Sequence, residues 1–131
     1  MSACLRVLLV EDSKVLAERL TETITENARV ELIAQVDSDA AALVVVEREP
    51  IDLIVLDLQL KQGTGFGVLR GLAKLSIKPC MMVLTNYDLP VYKGAATAPG
   101  AAYFLNKSQD HGLLRGILHD MCESLGLVPA Q

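Results

Sequence analysis

The sequence has little of several features that mark special classes of protein. Its three cysteines, Cys4, Cys80 and Cys122, form an odd number and show neither zinc-site spacing nor a CxxC pair. We interpret them as buried thiols in a reducing compartment. No run reaches the ~18 apolar residues that a membrane span needs, and the N-terminus has no signal-peptide pattern. These absences predict a cytoplasmic protein without a membrane segment.

Positive charge is also scarce. The 131 residues include 12 Lys+Arg against 16 Asp+Glu, which gives a formal net charge of -4. Sequence-independent binding of nucleic acid requires a basic surface, so this balance argues against direct nucleic-acid binding. Hydrophobic residues make up 51% of the chain, and we find no internal repeat or low-complexity tract. Length and composition therefore predict one folded domain over residues 1–131.

The chain does contain a regular alternation of apolar runs and amphipathic segments. Strands are predicted over 4–12, 30–36, 52–57, 80–86 and 101–107, and helices over 13–28, 38–50, 64–75, 89–100 and 109–126. This alternation predicts a parallel sheet with helices on both faces. The continuous apolar run Leu53–Leu56 is typical of a strand that is buried on both faces. The simplest arrangement is an α/β, flavodoxin-like (βα)5 doubly wound fold with strand order 2-1-3-4-5.

Polar residues stand where the predicted strands end. The first strand ends in Glu11 and Asp12, the third in Asp57 and the fourth in Thr85, and Lys107 follows the fifth. In a doubly wound sheet, ligands bind beyond the carboxyl ends of the strands where the strand order reverses, which here lies between strands one and three. We therefore expect the three acids to share one pocket, with the threonine and the lysine beside it.

Three carboxylates in one pocket repel each other, and a hard divalent cation would relieve the repulsion. Proteins usually bind Mg²⁺ with one or two carboxylates, water and phosphate oxygens. A carboxylate such as Asp57 can also act as a nucleophile and form an acyl phosphate. Mg²⁺ and Lys107 would balance the charge of a transferring phosphoryl group, to which Thr85 could donate a hydrogen bond. These residues predict Mg²⁺-dependent phosphoryl transfer to an aspartate.

Taken in order, these motifs resemble the receiver domain of bacterial two-component response regulators. The resemblance covers nearly the whole chain and is carried by VLLVEDS, LIVLDLQL, VLT and GAAYFLNKS. It implies that Asp57 is the phosphoacceptor and that Thr85 and Lys107 contact the phosphoryl group. Gly65 matches a glycine of the loop that follows the aspartate. The implied Mg²⁺ site comprises the side chains of Asp12 and Asp57, the main-chain carbonyl of Gln59, and Glu11 acting through water.

The resemblance also implies a two-state switch and a set of partners. Thr85 would move toward the phosphoryl group, and Tyr103, placed like the family's rotating aromatic residue, would turn inward. The implied phosphodonor is a sensor histidine kinase or a histidine phosphotransfer protein, rather than His111 or His119 of this chain. A downstream protein would bind the face formed by the fourth helix, fifth strand and fifth helix. The short stretch after Lys107 predicts no output domain, and the implied activity is intrinsic phosphotransfer and autophosphatase activity, not that of a metabolic enzyme.

Some positions depart from the family pattern, and two other interpretations stay open. Lys61 and Ser108 stand where proline is common, and Asn86 stands where a small residue is usual. A degenerate receiver, acting as a phosphorylation-independent interaction module, is compatible with the residues at 86 and 108. A haloacid-dehalogenase-type phosphohydrolase also uses an aspartate after a strand. That class needs a second aspartate two residues later, where this chain has Gln59.

Overall fold

The computed structural model describes residues 4–57, 71, 79–85, 103–106 and 111–127. In these ranges the strands are β1 (Leu5–Val10), β2 (Val30–Val36), β3 (Leu53–Asp57), β4 (Cys80–Thr85) and β5 (Tyr103–Asn106). The helices are α1 (Lys14–Thr25), α2 (Asp39–Arg48) and α3 (His111–Ser124). The strands pair in parallel in the order β2-β1-β3-β4-β5. The predicted α/β class and strand order are confirmed.

Helices α1 and α2 begin at capping serines that only one or two residues separate from the preceding strand. Ser13 Oγ accepts a hydrogen bond from the Leu16 amide at 3.5 Å, and Ser38 Oγ accepts one from the Ala41 amide at 3.2 Å. Such caps satisfy amides that the first helical turn leaves without a partner. The connections from β1 to α1 and from β2 to α2 are therefore short. In the described part of the chain, no helix is long and apolar enough to cross a membrane.

Of the residues in the helices predicted over 64–75 and 89–100, all but residue 71 lie outside the described part of the chain. Gly71 is described and is helical. The first strand is shorter than predicted, because it ends at Val10 and leaves both acids of the predicted strand in the turn before α1.

The apolar residues form one cluster on each face of the sheet. The first lies under α1 and α3, and the second lies on the face of α2. In β1, Val7 and Leu9 belong to the first cluster and Leu8 and Val10 to the second, as strand alternation requires. Every residue of β3 is buried, so the prediction of a strand covered on both faces is confirmed.

The cysteines do not all behave as predicted. Cys122 is fully buried in the first cluster, whereas Cys4 and Cys80 are partly exposed, so the prediction of buried thiols is correct for one of the three. Burial raises the pKa of the Cys122 thiol and of the Cys80 thiol.

Polar contacts tie α3 to the turn between α1 and β2. Arg29 Nη1 donates to Glu123 Oε1 at 2.8 Å, and Arg29 Nη2 lies 2.9 Å from His119 Nδ1. Arg115 Nε of α3 donates to Glu26 Oε2 at 2.9 Å. These contacts hold α3 against α1, next to the first cluster.

Candidate metal centre

Three carboxylates converge at the carboxyl edge of the sheet. Each of Glu11, Asp12 and Asp57 offers an oxygen, and these oxygens all lie within 4.8 Å of one another. Glu11 and Asp57 have only 1% and 3% of their surface exposed, while Asp12 is partly exposed. The structure thus brings together the three acids that the strand order predicted would share a pocket.

The β1–β3 register explains why these acids meet. Val10 pairs with Leu56, and an acid follows each of them along its strand. Parallel neighbours advance in the same direction, so the next residues, Glu11 and Asp57, emerge at the same edge. Burial of the apolar residues before them fixes where each strand ends and therefore where each carboxylate stands.

Several hydrogen bonds hold the turn that carries two of the acids. The Glu11 amide donates to the Val36 carbonyl at 2.9 Å. The Ser13 amide donates to Glu11 Oε2 at 2.9 Å. Gln35 Nε2 donates to the main-chain carbonyl of Glu11 at 2.7 Å. Sequence reasoning missed the glutamine, because a polar side chain on an exposed edge strand is ordinary and does not indicate what it contacts.

The donor set fits a hard divalent cation. All three side chains offer carboxylate oxygens, which are the ligands that Mg²⁺ prefers, and the group is compact enough that it could hold a metal ion. The partly exposed Asp12 leaves one side of the group accessible to solvent and to a further ligand. The arrangement therefore resembles an open metal site rather than a closed protein cage.

The structure places some of the other predicted site residues and leaves others outside its range. Thr85 ends β4 and directly follows Leu84, which pairs with Asp57, so its backbone lies at the same edge of the sheet. Outside the described residues lie Gln59, Lys61, Gly65, Asn86, Lys107 and Ser108. Their predicted roles stay predictions.

Tyr103 lies away from the acidic group. It begins β5, pairs with Met82 and packs against the first cluster, on the face of α1 and α3. Val83 of β4 belongs to the second cluster, on the other face of the sheet. Tyr103 thus occupies the opposite face from Val83, and it lies at the opposite end of the β4–β5 ladder from the backbone of Thr85. The predicted switch role stays a prediction, and this packing does not support it.

Comparison with known proteins agrees with this architecture. The family model described as the response regulator receiver domain matches residues 7–119. The REC domain of AraT, a response regulator from Geobacillus stearothermophilus, superposes with a TM-score of 0.80 at 24% identity, and covers 96% of this chain and 97% of that chain. The response regulatory domain of mrkE from Klebsiella pneumoniae superposes with a TM-score of 0.82 at 17% identity, over 92% and 98% of the two chains.

Sequence relatives are longer proteins. A protein-glutamate methylesterase/protein-glutamine glutaminase from Paramagnetospirillum magneticum is 32% identical over 108 residues, which are 79% of this chain and 28% of that protein. Fimbriae Z protein from Salmonella typhimurium is 21% identical over 104 residues, which are 79% of this chain and 50% of that protein. The chain thus spans half or less of the length of these relatives. With its family-model match, parallel sheet and acidic edge, the chain belongs to the response regulator receiver domain family.

Proposed function

We propose that this receiver domain accepts a phosphoryl group on Asp57 in a Mg²⁺-dependent reaction. The observation that carries the proposal is the acidic group itself: Glu11, Asp12 and Asp57 offer oxygens within 4.8 Å of one another where β1 and β3 end. The phosphodonor would be the phosphohistidine of a sensor histidine kinase or a histidine phosphotransfer protein. The family match supports this class of reaction over that of a haloacid-dehalogenase-type phosphohydrolase.

In the transfer step, a carboxylate oxygen of Asp57 attacks the phosphorus atom. The new O–P bond forms as the donor's N–P bond breaks, and the electron pair of that bond stays on the imidazole nitrogen. Asp57 suits this role because it ends a fully buried strand, so its position costs little reorganisation when the donor arrives. Attack by water on the phosphorus atom would then release inorganic phosphate and regenerate the carboxylate.

Glu11 and Asp12 would hold the cation together with Asp57 and the main-chain carbonyl of Gln59. When bound, Mg²⁺ would supply positive charge to the equatorial phosphoryl oxygens. Two hydrogen bonds keep Glu11 in place: the Ser13 amide donates to its carboxylate, and its own amide donates to the Val36 carbonyl. A second cationic contact to the phosphoryl group would come from Lys107, and a hydrogen bond from Thr85.

We further propose that phosphorylation shifts a two-state equilibrium that a downstream protein reads. The face assigned to that protein comprises the fourth predicted helix, β5 and α3. A displacement of Thr85 toward the phosphoryl group would begin the change. The equilibrium would shift toward the state that makes more favourable contacts with the phosphoryl group. The chain would carry out phosphotransfer and its own dephosphorylation as a single domain over residues 1–131.

The test is chemical labelling followed by intact-mass measurement. Wild-type protein is incubated with Mg²⁺ and acetyl phosphate, and we expect one adduct of ~80 Da, the mass of a phosphoryl group on a carboxylate, that is stable in acid and labile in base. Asp57→Asn should carry no adduct. The matched control Asp120→Asn replaces an exposed aspartate of α3 and should be labelled like the wild type. Absence of the adduct from folded wild type that binds Mg²⁺ would favour the interaction-module interpretation instead.

A further inference from the structure

The backbone ladder between β1 and β2 ends just before the acidic turn. Val10 pairs with Val36, and the last ladder bond runs from the Glu11 amide to the Val36 carbonyl at 2.9 Å. The chain then leaves β2, because Ser38 caps α2. A continuing parallel strand would have offered the Glu11 carbonyl another backbone amide.

The side chain of Gln35 supplies the donor that the backbone no longer provides. Its Nε2 donates to the Glu11 carbonyl at 2.7 Å and lies 3.1 Å from the Val36 carbonyl. Both acceptors are carbonyl oxygens, so the amide nitrogen of Gln35 must face them. Glu11 is therefore anchored through its amide by Val36 and through its carbonyl by Gln35.

We propose that Gln35 is a positioning residue for the cation site, an inference that rests on the function proposed above. The carbonyl that Gln35 binds belongs to the peptide group joining Glu11 to Asp12. Rotation of that peptide group would move the two carboxylates relative to each other. Gln35 restricts this rotation before any ion arrives, and residues that orient ligands in this way commonly affect metal affinity.

A packing role does not account for the contact. Gln35 is exposed on an edge strand and belongs to neither apolar cluster. Its side chain lines the surface cleft beside the acids, together with Glu11, Asp12, Lys14, Val36, Asp37 and Ala41. An ordered glutamine at an exposed position has lost side-chain entropy, which its two hydrogen bonds must offset.

The decisive experiment measures Mg²⁺ binding by isothermal titration calorimetry. Gln35→Met keeps the length of the side chain and removes its donor. We expect the Kd for Mg²⁺ to rise ~10-fold, as is typical for the loss of an outer hydrogen-bond partner of a metal ligand. The control Ile33→Met is a neutral substitution on the same strand and should leave the Kd unchanged. Circular dichroism would establish that all three proteins are folded at the temperature of the titration.

A second variant separates position from charge. Gln35→Glu keeps the shape of the side chain but cannot donate when ionised, and it adds a negative charge near the site. An effect of charge alone would tighten Mg²⁺ binding, whereas loss of positioning should weaken it. Tighter binding by Gln35→Glu would overturn the inference.

Phosphorylation kinetics provide an independent measurement. For Gln35→Met we expect the half-saturating Mg²⁺ concentration for labelling by acetyl phosphate to rise by the same factor, with an unchanged maximal rate. A lowered maximal rate at an unchanged half-saturating concentration would overturn the inference, as would an equal Kd for Gln35→Met and wild type. Failure of the wild type itself to bind Mg²⁺ is a different result, because it would overturn the proposed function and the role of Gln35 with it.

Discussion

Val10 of β1 pairs with Leu56 of β3, and each of these buried residues is followed by an acid at the edge of the sheet. This pairing makes neighbours of Glu11 and Asp57, which are far apart in the sequence. The residues around each acid do not by themselves indicate that the other lies beside it. Because the strands are parallel, a shift of one residue in the register would move one acid away from the other and turn its side chain to the other face. The acidic group therefore depends on the packing of the strands that carry it.

Mg²⁺ should stabilise the folded protein through this group. A ligand that binds only the native state adds stability that grows with its concentration, and an excess of ten times the Kd adds roughly 1.4 kcal/mol. We expect the thermal unfolding midpoint of wild type to rise with added Mg²⁺, and that of Asp12→Asn to rise much less. Asp39→Asn, which removes an aspartate from the first turn of α2, is the control and should respond like wild type. An equal response from Asp12→Asn would place the ion elsewhere.

The sheet and the acidic group could be predicted because both follow from strong, repeated signals. Runs such as Leu53–Leu56 have no polar residue to interrupt burial, and their order along the chain restricts the topology to a few possibilities. Because Asp57 directly follows this run, its place at the end of a strand does not depend on the conformation of the loops. The contact of Gln35 with Glu11 carries no such signal, because a single side-chain bond to a main-chain carbonyl has no periodicity.

The face on which Tyr103 lies could not be predicted for a different reason. Strand alternation makes the face of a side chain depend on whether its position is odd or even, so a motif that locates an aromatic residue near Lys107 does not decide the face. The β4–β5 register settles it, since Tyr103 pairs with Met82 of the first cluster. Neither register nor cluster membership can be derived from a short run at the edge of a sheet.

Truncation of Tyr103 should therefore affect stability more than signalling. We expect Tyr103→Leu to lower the free energy of unfolding by about 1–3 kcal/mol, because it removes part of a half-buried ring that packs on the first cluster. The chemical-shift changes caused by phosphorylation should persist in this variant. If the variant were as stable as wild type and its spectrum no longer responded to acetyl phosphate, the switch role inferred from the family resemblance would be supported.

The ion pair between Arg29 and Glu123 should make stability depend on pH. The hydrogen bond from Arg29, and then its charge, lower the pKa of Glu123 below the ordinary value of 4.5. A carboxyl group with a lowered pKa in the folded state contributes stability that is fully present above 4.5 and is lost as the pH falls through the folded-state pKa. Glu123→Gln should therefore unfold at a lower urea concentration than wild type at pH 7.

The difference between Glu123→Gln and wild type should shrink as the pH falls below 4.5, the ordinary pKa of the group. Urea midpoints measured at a series of pH values would show this convergence. Glu18→Gln replaces an exposed glutamate of α1 and controls for the loss of one negative charge. A difference that stayed constant down to the lowest pH would mean that the charge of Glu123 does not stabilise the fold.

Gly71 and Leu43 should be energetically coupled. A Cβ atom at position 71 would lie 2.7 Å from both Cδ atoms of Leu43, which is closer than real Cβ contacts allow. Glycine costs a helix about 1 kcal/mol relative to alanine, so Gly71→Ala would stabilise the protein if space were free. The side chain of Leu43 must instead move, and because its Cδ atoms are the far end of a flexible, partly exposed side chain, this movement should offset only part of that gain.

A double-mutant cycle would measure this coupling. We expect Gly71→Ala to raise the free energy of unfolding less in the wild-type background than in a Leu43→Ala background, where the obstructing methyl groups are gone. The difference between the two effects should be about 0.5–3 kcal/mol, the range for residues in direct contact. Gly116→Ala in α3, where a Cβ would meet nothing within 4 Å, is the matched control and should raise stability equally in both backgrounds. Gly71→Ala effects that were equal in both backgrounds would show that the glycine is not needed for the approach of Leu43.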